Sequence, residues 1–295
     1  MSSPATVTEK DTTTRQSTPL SRVLSDPSGI VGGLFVLLIL LLAIFAPWIT
    51  PYGPEEIDVL NRLAGPSAEH WLGTDQLGRD TFTRLVYGAR IALLVALPSV
   101  LAGALIGLVL GMIAGYFRGP VENALLALFD IIRSFPALLL AIAIIALTGP
   151  SLTMIVIIMA VTRFPSYGRL IRAQTLKVRE EEYVTASRAL GNNPAAIMRK
   201  HLMPNVIAPL FIQAAMDIPV VITFEAGLSF LGLGVAPPTP SWGSILQDGY
   251  AYVRATPWLV TFGSAFLVVA TLGFTFLAES LRDAFDVRLK NTDAN

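Results

Sequence analysis

Two histidines, no cysteine and no carboxylate cluster within the apolar stretches leave little for catalysis or metal binding. His70 and His201 cannot make a multi-histidine centre, and thiolate sites and disulfides are excluded. No metal site and no catalytic residue is assigned. A Gly-x-x-x-x-Gly-Lys-Ser/Thr loop is also absent, so the chain is not expected to bind ATP or any other cofactor itself. What the sequence does hold is charge inside apolar runs, which by default marks function in a membrane protein. Asp130 and Arg133 are three apart on a helical pattern and are expected to neutralise each other. Asp217 and Glu225 are eight apart, close to one helix face. They either line a water-filled pathway or satisfy helix-packing partners, and are the candidate pathway residues.

The elements that must position these charges follow from composition. The chain has 295 residues, 53% hydrophobic and 14% charged, with a mean hydropathy of +0.63. A soluble domain carries about a quarter charged residues, so lipid must be part of the solvent. Lys+Arg and Asp+Glu both number 21, which excludes a nucleic-acid binder with a dominant basic face. A bilayer core needs about 20 apolar residues per helix. The expected spans are 29–49, 91–116, about 121–147, about 152–161 with an extension to 171, about 206–235, and about 258–278. The reading is all-α, a polytopic membrane protein with six transmembrane helices. Residues 1–28 are an N-terminal tail, unstructured to about Ser21. Span 29–49 is an uncleaved anchor, since it is longer than a signal-peptide core and lacks a cleavage site. Segment 50–90 links it to a core domain, 91–295.

Six spans put both termini on one side. If that side is the cytoplasm, only Arg62, Arg79, Arg84, Arg90 and Arg254 fall outside, leaving the other sixteen of the 21 basic residues inside. This asymmetry predicts cytoplasmic N- and C-termini. In the second span Ser99, Gly103, Gly107, Gly111 and Gly115 repeat every four residues on one face. Small residues there let another helix approach closely, either within the chain or on a partner subunit. Pro98, Pro136, Pro209 and Pro219 interrupt spans and suit a bundle with a polar interior.

The most informative stretch is the hydrophilic loop at 174–205. Glu180-Glu181-Glu182 opens a helical pattern, where acids favour the positive end of the dipole. Tyr183, Ala186 and Leu190 form one apolar stripe, Gly191 is a helix stop, and Asn193-Pro194 reads as an N-cap with proline at the first position. A second short helix is expected through Ile197 and His201 to Pro204. Two short amphipathic helices at a glycine elbow make either a docking surface or a solvated interhelical loop.

Thr185-Ala186-Ser187-Arg188-Ala189-Leu190-Gly191, nine further residues, then His201-Leu202-Met203-Pro204-Asn205 resembles the EAA loop of ABC importer permeases. That pattern is Glu-Ala-Ala, three residues, Gly, nine residues, Ile-x-Leu-Pro. Thr185 stands for Glu, Ser187 for the second Ala, His201 for Ile and Met203 for Leu. Asp26-Pro27 with the run Phe45 to Tyr52, the run Leu72 to Asp80 continuing to Tyr87-Gly88-Ala89-Arg90, and Leu228 to Gly234 followed by Pro237 to Gly243 are similar to the C-type permeases of dipeptide, oligopeptide and nickel importers. The resemblance covers about residues 24–290.

The resemblance implies an ABC type I importer permease fold and a non-catalytic permease subunit in a bacterial inner or plasma membrane. With a homologous B-type permease it would form the translocation pathway for di- or oligopeptides. ATP and Mg would sit on two partner ATPase domains, and an extracytoplasmic binding protein would deliver substrate. Nickel, glutathione or another small solute is the alternative cargo. Tyr183, Thr185, Ala186, Ser187, Arg188, Leu190, Gly191, His201 and Pro204 would form the ATPase-coupling loop. Segment 50–90, with Trp71, would pack on the permease mouth, either touching the binding protein or serving as a structural cap. An ion-driven secondary transporter is the main rival, but it should show inverted repeats, and none is evident between the first and last three spans.

Overall fold

The structure, a computed structural model, describes residues 19–292, with side chains from 21 to 285. Its helices are α1 (Pro19–Val23), α2 (Pro27–Ile49), α3 (Thr81–Tyr116), α4 (Pro120–Ser134), α5 (Ala137–Thr148), α6 (Leu152–Val178), α7 (Glu182–Ala189), α8 (Pro194–Ile197), α9 (Met203–Phe230), α10 (Trp242–Ala251) and α11 (Pro257–Thr292). No strand occurs among the described residues. Five helical stretches are long and apolar enough to cross a membrane, and the bent pair α4–α5 makes a sixth candidate.

Three of the six span expectations land within about five residues; the sixth, expected to end near 278, continues as α11 to Thr292. The N-terminal tail gains α1, whose Val23 is buried; residues 1–18 lie outside the described set. The Asp26 carboxylate accepts from the backbone N–H groups of Ser28 and Gly29 and starts α2 two residues early. The third span is not straight: α4 and α5 meet at 80°. Phe135 precedes Pro136, and a residue before proline is driven out of the helical region. Here Phe135 sits at φ −89°, ψ 129°. The fourth span is one helix of 27 residues, and the fifth ends at Phe230 rather than near 235.

The largest correction concerns segment 50–90. Helix α3 begins at Thr81, ten residues before the expected start, and has 36 residues. At 1.5 Å per residue that is about 54 Å, well beyond a hydrocarbon core of about 30 Å. Its first turns therefore stand outside the apolar layer, where Arg84 can be accommodated. Asp80 is the N-cap, accepting from the Thr83 N–H at 2.7 Å.

Residues 50–80 form a compact cap over this end of α3. Asp75 accepts from Arg79 Nε at 2.7 Å and lies 3.3 Å from Arg84 Nε. Asp248 on α10 faces the same two guanidinium groups at 3.5 and 3.9 Å. His70 Nδ1 lies 3.0 Å from Asp80. Trp242, 1% exposed, donates from Nε1 to the Leu85 carbonyl at 2.9 Å and closes α10 onto α3.

Packing in the bundle centres on two seams. The predicted small-residue stripe on α3 meets α6 of the same chain: Gly103 faces Ala160, Gly107 and Gly111 face Gly168, and Gly115 faces Thr175 and Arg172. A Cβ on Gly107 would come 2.9 Å from Gly168 N and Phe164 O, so backbone runs against backbone. Of the two alternatives for the stripe, the structure gives the intrachain one. The second seam joins α2 to α11 through Gly32 and Gly273. Leu85, Val95, Ile155, Met159, Val221 and Trp242 fill the core between α3, α6, α9 and α10.

Candidate functional site

Helix α7 begins after Glu181, with Glu182 in its first turn and Arg188 in its last, each complementing the dipole. It stands on two buried residues one turn apart, Val184 at 0% and Ser187 at 7% exposure. The predicted apolar stripe points the other way. Tyr183, Ala186 and Leu190 are exposed, as are Thr185 and Arg188, with Leu190 at 83%. Leu190 is the C-cap of α7 and, with Tyr183 and Ala186, gives the braced helix an exposed apolar edge.

The elbow is built as its residue types dictate. Gly191 has φ +79°, a left-handed conformation that glycine adopts without a Cβ penalty. Its N–H donates to the Arg188 carbonyl at 3.0 Å. Asn192 donates from Nδ2 to Ser187 Oγ at 3.0 Å, and Asn193 caps the next turn by accepting from the Ala196 N–H at 2.7 Å.

The expected second short helix is not a separate element. Helix α8 runs through a π-helical turn, Met198–Leu202, directly into α9. Pro204 therefore lies in the first turn of α9 rather than at a stop. A π-turn accommodates this because proline lacks the N–H that a regular helix would require. Ile197 and Leu202 anchor the turn at 0% exposure. His201 stacks at 5.8 Å on Tyr183, and Asn205 Nδ2 donates to the His201 carbonyl at 2.6 Å and the Tyr183 hydroxyl at 3.3 Å. Partial burial, and secondly the Glu181 carboxylate, push the Tyr183 phenol above its ordinary range. The loop is thus continuous with α9 through α8 and the π-turn.

Most charges within the spans pair between helices. Asp130 bonds to Arg169 on α6 rather than to Arg133, a correction to the expected local pair. One turn further along α6, Arg172 Nε donates to Glu122 on α4 at 2.7 Å. These pairs explain how arginines interrupt the fourth span without ending it. The sequence carried the signal: Glu122 and Asp130 lie two turns apart on α4, and Arg169 and Arg172 one turn apart on α6. Asp217 is 5% exposed and 3.7 Å from Arg163 Nη1; Glu225 is 1% exposed and accepts from Ser229 Oγ at 2.6 Å. Each therefore has a packing partner within this chain.

These elements define a polytopic helical bundle with an exposed loop between two spanning helices, and the solved structures it resembles have that fold. An inward-facing MetNI methionine ABC transporter chain superposes with TM-score 0.57 at 22% identity, covering 68% of this chain and 96% of that one. A chain of an amino acid ABC transporter gives 0.52 at 19% identity, covering 67% and 92%. Residues 107–291 match the family of binding-protein-dependent transport system inner membrane components, and 20–66 match the N-terminal transmembrane domain of oligopeptide transport permease C. The dipeptide transport system permease protein DppC of Alkalihalophilus pseudofirmus is 42% identical over 262 residues, 89% of this chain and 86% of that protein. The glutathione transport system permease protein GsiD of Pectobacterium atrosepticum is 37% identical over 271 residues, 92% and 90%. The chain belongs to the family of binding-protein-dependent transport system inner membrane components, as the C-type permease of an ABC importer.

Proposed function

We propose that this chain forms, with a homologous B-type permease, the pathway of a peptide importer, and that residues 182–204 dock on a partner ATPase. The observation that carries the docking role is the outward stripe Tyr183, Ala186 and Leu190 on a helix held from beneath by Val184 and Ser187. A braced helix with an apolar outer face suits a groove on another protein. Because the loop is fused to α9 and leads out of α6, a rigid displacement of it tilts both helices between discrete packings. The ATPase subunits would hold ATP and Mg, and the chain itself would do no chemistry. The loop would face the cytoplasm, together with both termini, and the cap would face the binding protein side.

Dipeptides or oligopeptides are the proposed cargo, supported by the likeness to dipeptide permeases at 42% identity. Glutathione, itself a tripeptide, is the second reading, supported by relatives at 37% identity.

The test is uptake of labelled dipeptide and of labelled glutathione into vesicles holding the assembled complex. ATP-dependent uptake of one over the other is expected and assigns the cargo. Ala186→Glu is expected to abolish that uptake while the protein still inserts and assembles. Normal transport by the Ala186→Glu complex would overturn the docking role, and ion-driven uptake by this chain alone would overturn the importer.

A further inference from the structure

The covalent links of the loop lead to α6 and α9, yet α3 is the long helix that carries the glycine stripe. Besides the α3–α6 seam, side chains tie the start of the loop directly to the end of α3, and Arg179 is the least exposed of them. Arg179 is the C-cap of α6, and its backbone N–H donates to the Thr175 carbonyl at 3.0 Å. Its guanidinium keeps Nε 3.4 Å from the Glu180 carboxylate and donates from Nη1 to the Tyr116 carbonyl at 2.8 Å and the Gly115 carbonyl at 3.2 Å. These are among the last four carbonyls of α3, which have no donor within their own helix. The cation also sits at the negative end of the α3 dipole. The Arg179 side chain is 14% exposed, so water competes little for these bonds.

Two neighbours reinforce the junction unequally. The Arg188 guanidinium on α7 lies 5.4 Å from the Tyr116 ring centroid. Arg118 and Glu180 pair at 3.0 Å, but both are more than half exposed, and such pairs contribute little. Arg179 is therefore the group on which the ends of α3, α6 and the loop converge.

We propose that Arg179 is a positioning residue for transport, transmitting displacement of the docking loop to α3. This rests on the docking role given to residues 182–204. The glycine seam keeps α3 and α6 side by side, while the Arg179 fork fixes the hinge of the loop to the last turn of α3. Without the fork, loop motion is absorbed at the hinge and α3 lags.

The test uses the assembled complex and single-cysteine pairs, which the cysteine-free sequence permits directly. Arg179→Ala is expected to assemble and to hydrolyse ATP at the wild-type rate, but to import about tenfold less peptide per ATP consumed. Arg179→Lys keeps one charged donor within reach of the Tyr116 carbonyl and should restore most import; Arg118→Ala should resemble wild type. With spin labels on Phe117→Cys and Ala189→Cys, the interlabel distance should stay fixed through the ATP cycle in wild type and change in Arg179→Ala. Import and hydrolysis falling in proportion, or an unchanged distance in Arg179→Ala, would overturn the proposal. A wild-type complex that imports no peptide with ATP would defeat the importer reading instead, and the distance measurement would still decide on Arg179.

Discussion

The cap at one end of α3 and the loop at the other are both polar connections between spanning helices, and both expose apolar side chains, with Leu60 of the cap at 96%, but they treat charge differently. In the cap, charge is turned inward: Asp75, Arg79, Asp80 and Arg84 are each 7% exposed or less. In the loop, apolar side chains are turned outward, with Leu190 at 83% and Tyr183 at 46% exposure. Buried pairs cost too much to break casually, so the cap is a closed piece whose groups satisfy one another. The loop satisfies its backbone with Asn192, Asn193 and Gly191 and leaves its side chains for another protein.

This contrast can be broken or sharpened by four substitutions. Asp75→Ala leaves Arg79 and Arg84 buried without their shared carboxylate, and should destabilise the chain by about 3–5 kcal/mol. A lowered melting temperature of the purified complex would register it; an unchanged one would mean that the cap is not locked by charge. Gly107→Leu forces a side chain into the backbone of Gly168 and should cost about 1–3 kcal/mol, read by the same melt. Gly191→Ala imposes a Cβ on a left-handed residue and should cost about 1–2 kcal/mol, confined to the loop. Faster amide exchange over 182–204, with the cap unchanged, is the expected signature. Leu190→Ser should change stability by less than about 0.5 kcal/mol while lowering ATP-driven uptake. If it melts earlier and transports normally, the outward stripe serves packing rather than docking.

The sequence made the loop legible because its signals are local. Gly191, Asn193 and the Tyr183, Ala186, Leu190 spacing each act within a few residues, and the structure has the elbow, the cap and the exposed stripe there. The spans were legible for the same reason, since length and apolar content are properties of a segment. What escaped was set by distant partners. Helix α3 starts early because Arg84 finds Asp75 and Asp248, one of them far along the chain. Asp130 ignores Arg133, one turn away, for Arg169 on another helix. The stripe announced a close approach, but only the fold shows that α6 is what approaches. The continuity of α8 with α9 was hidden by Pro204, whose usual meaning as a stop is cancelled by the π-turn before it.

Helix α3 touches both contrasted regions, with Arg84 in the cap and the Tyr116 carbonyl on Arg179. Its glycines fit closely against Tyr167, Gly168, Ile171 and Thr175 of α6, which brace it like a beam rather than a string. A beam of about 54 Å pivoting by about 10° at one end sweeps the other through about 9 Å. On the docking role proposed for the loop, leverage of that kind would need no relay of small adjustments through the bundle: a modest tilt at the loop would arrive at the cap already magnified.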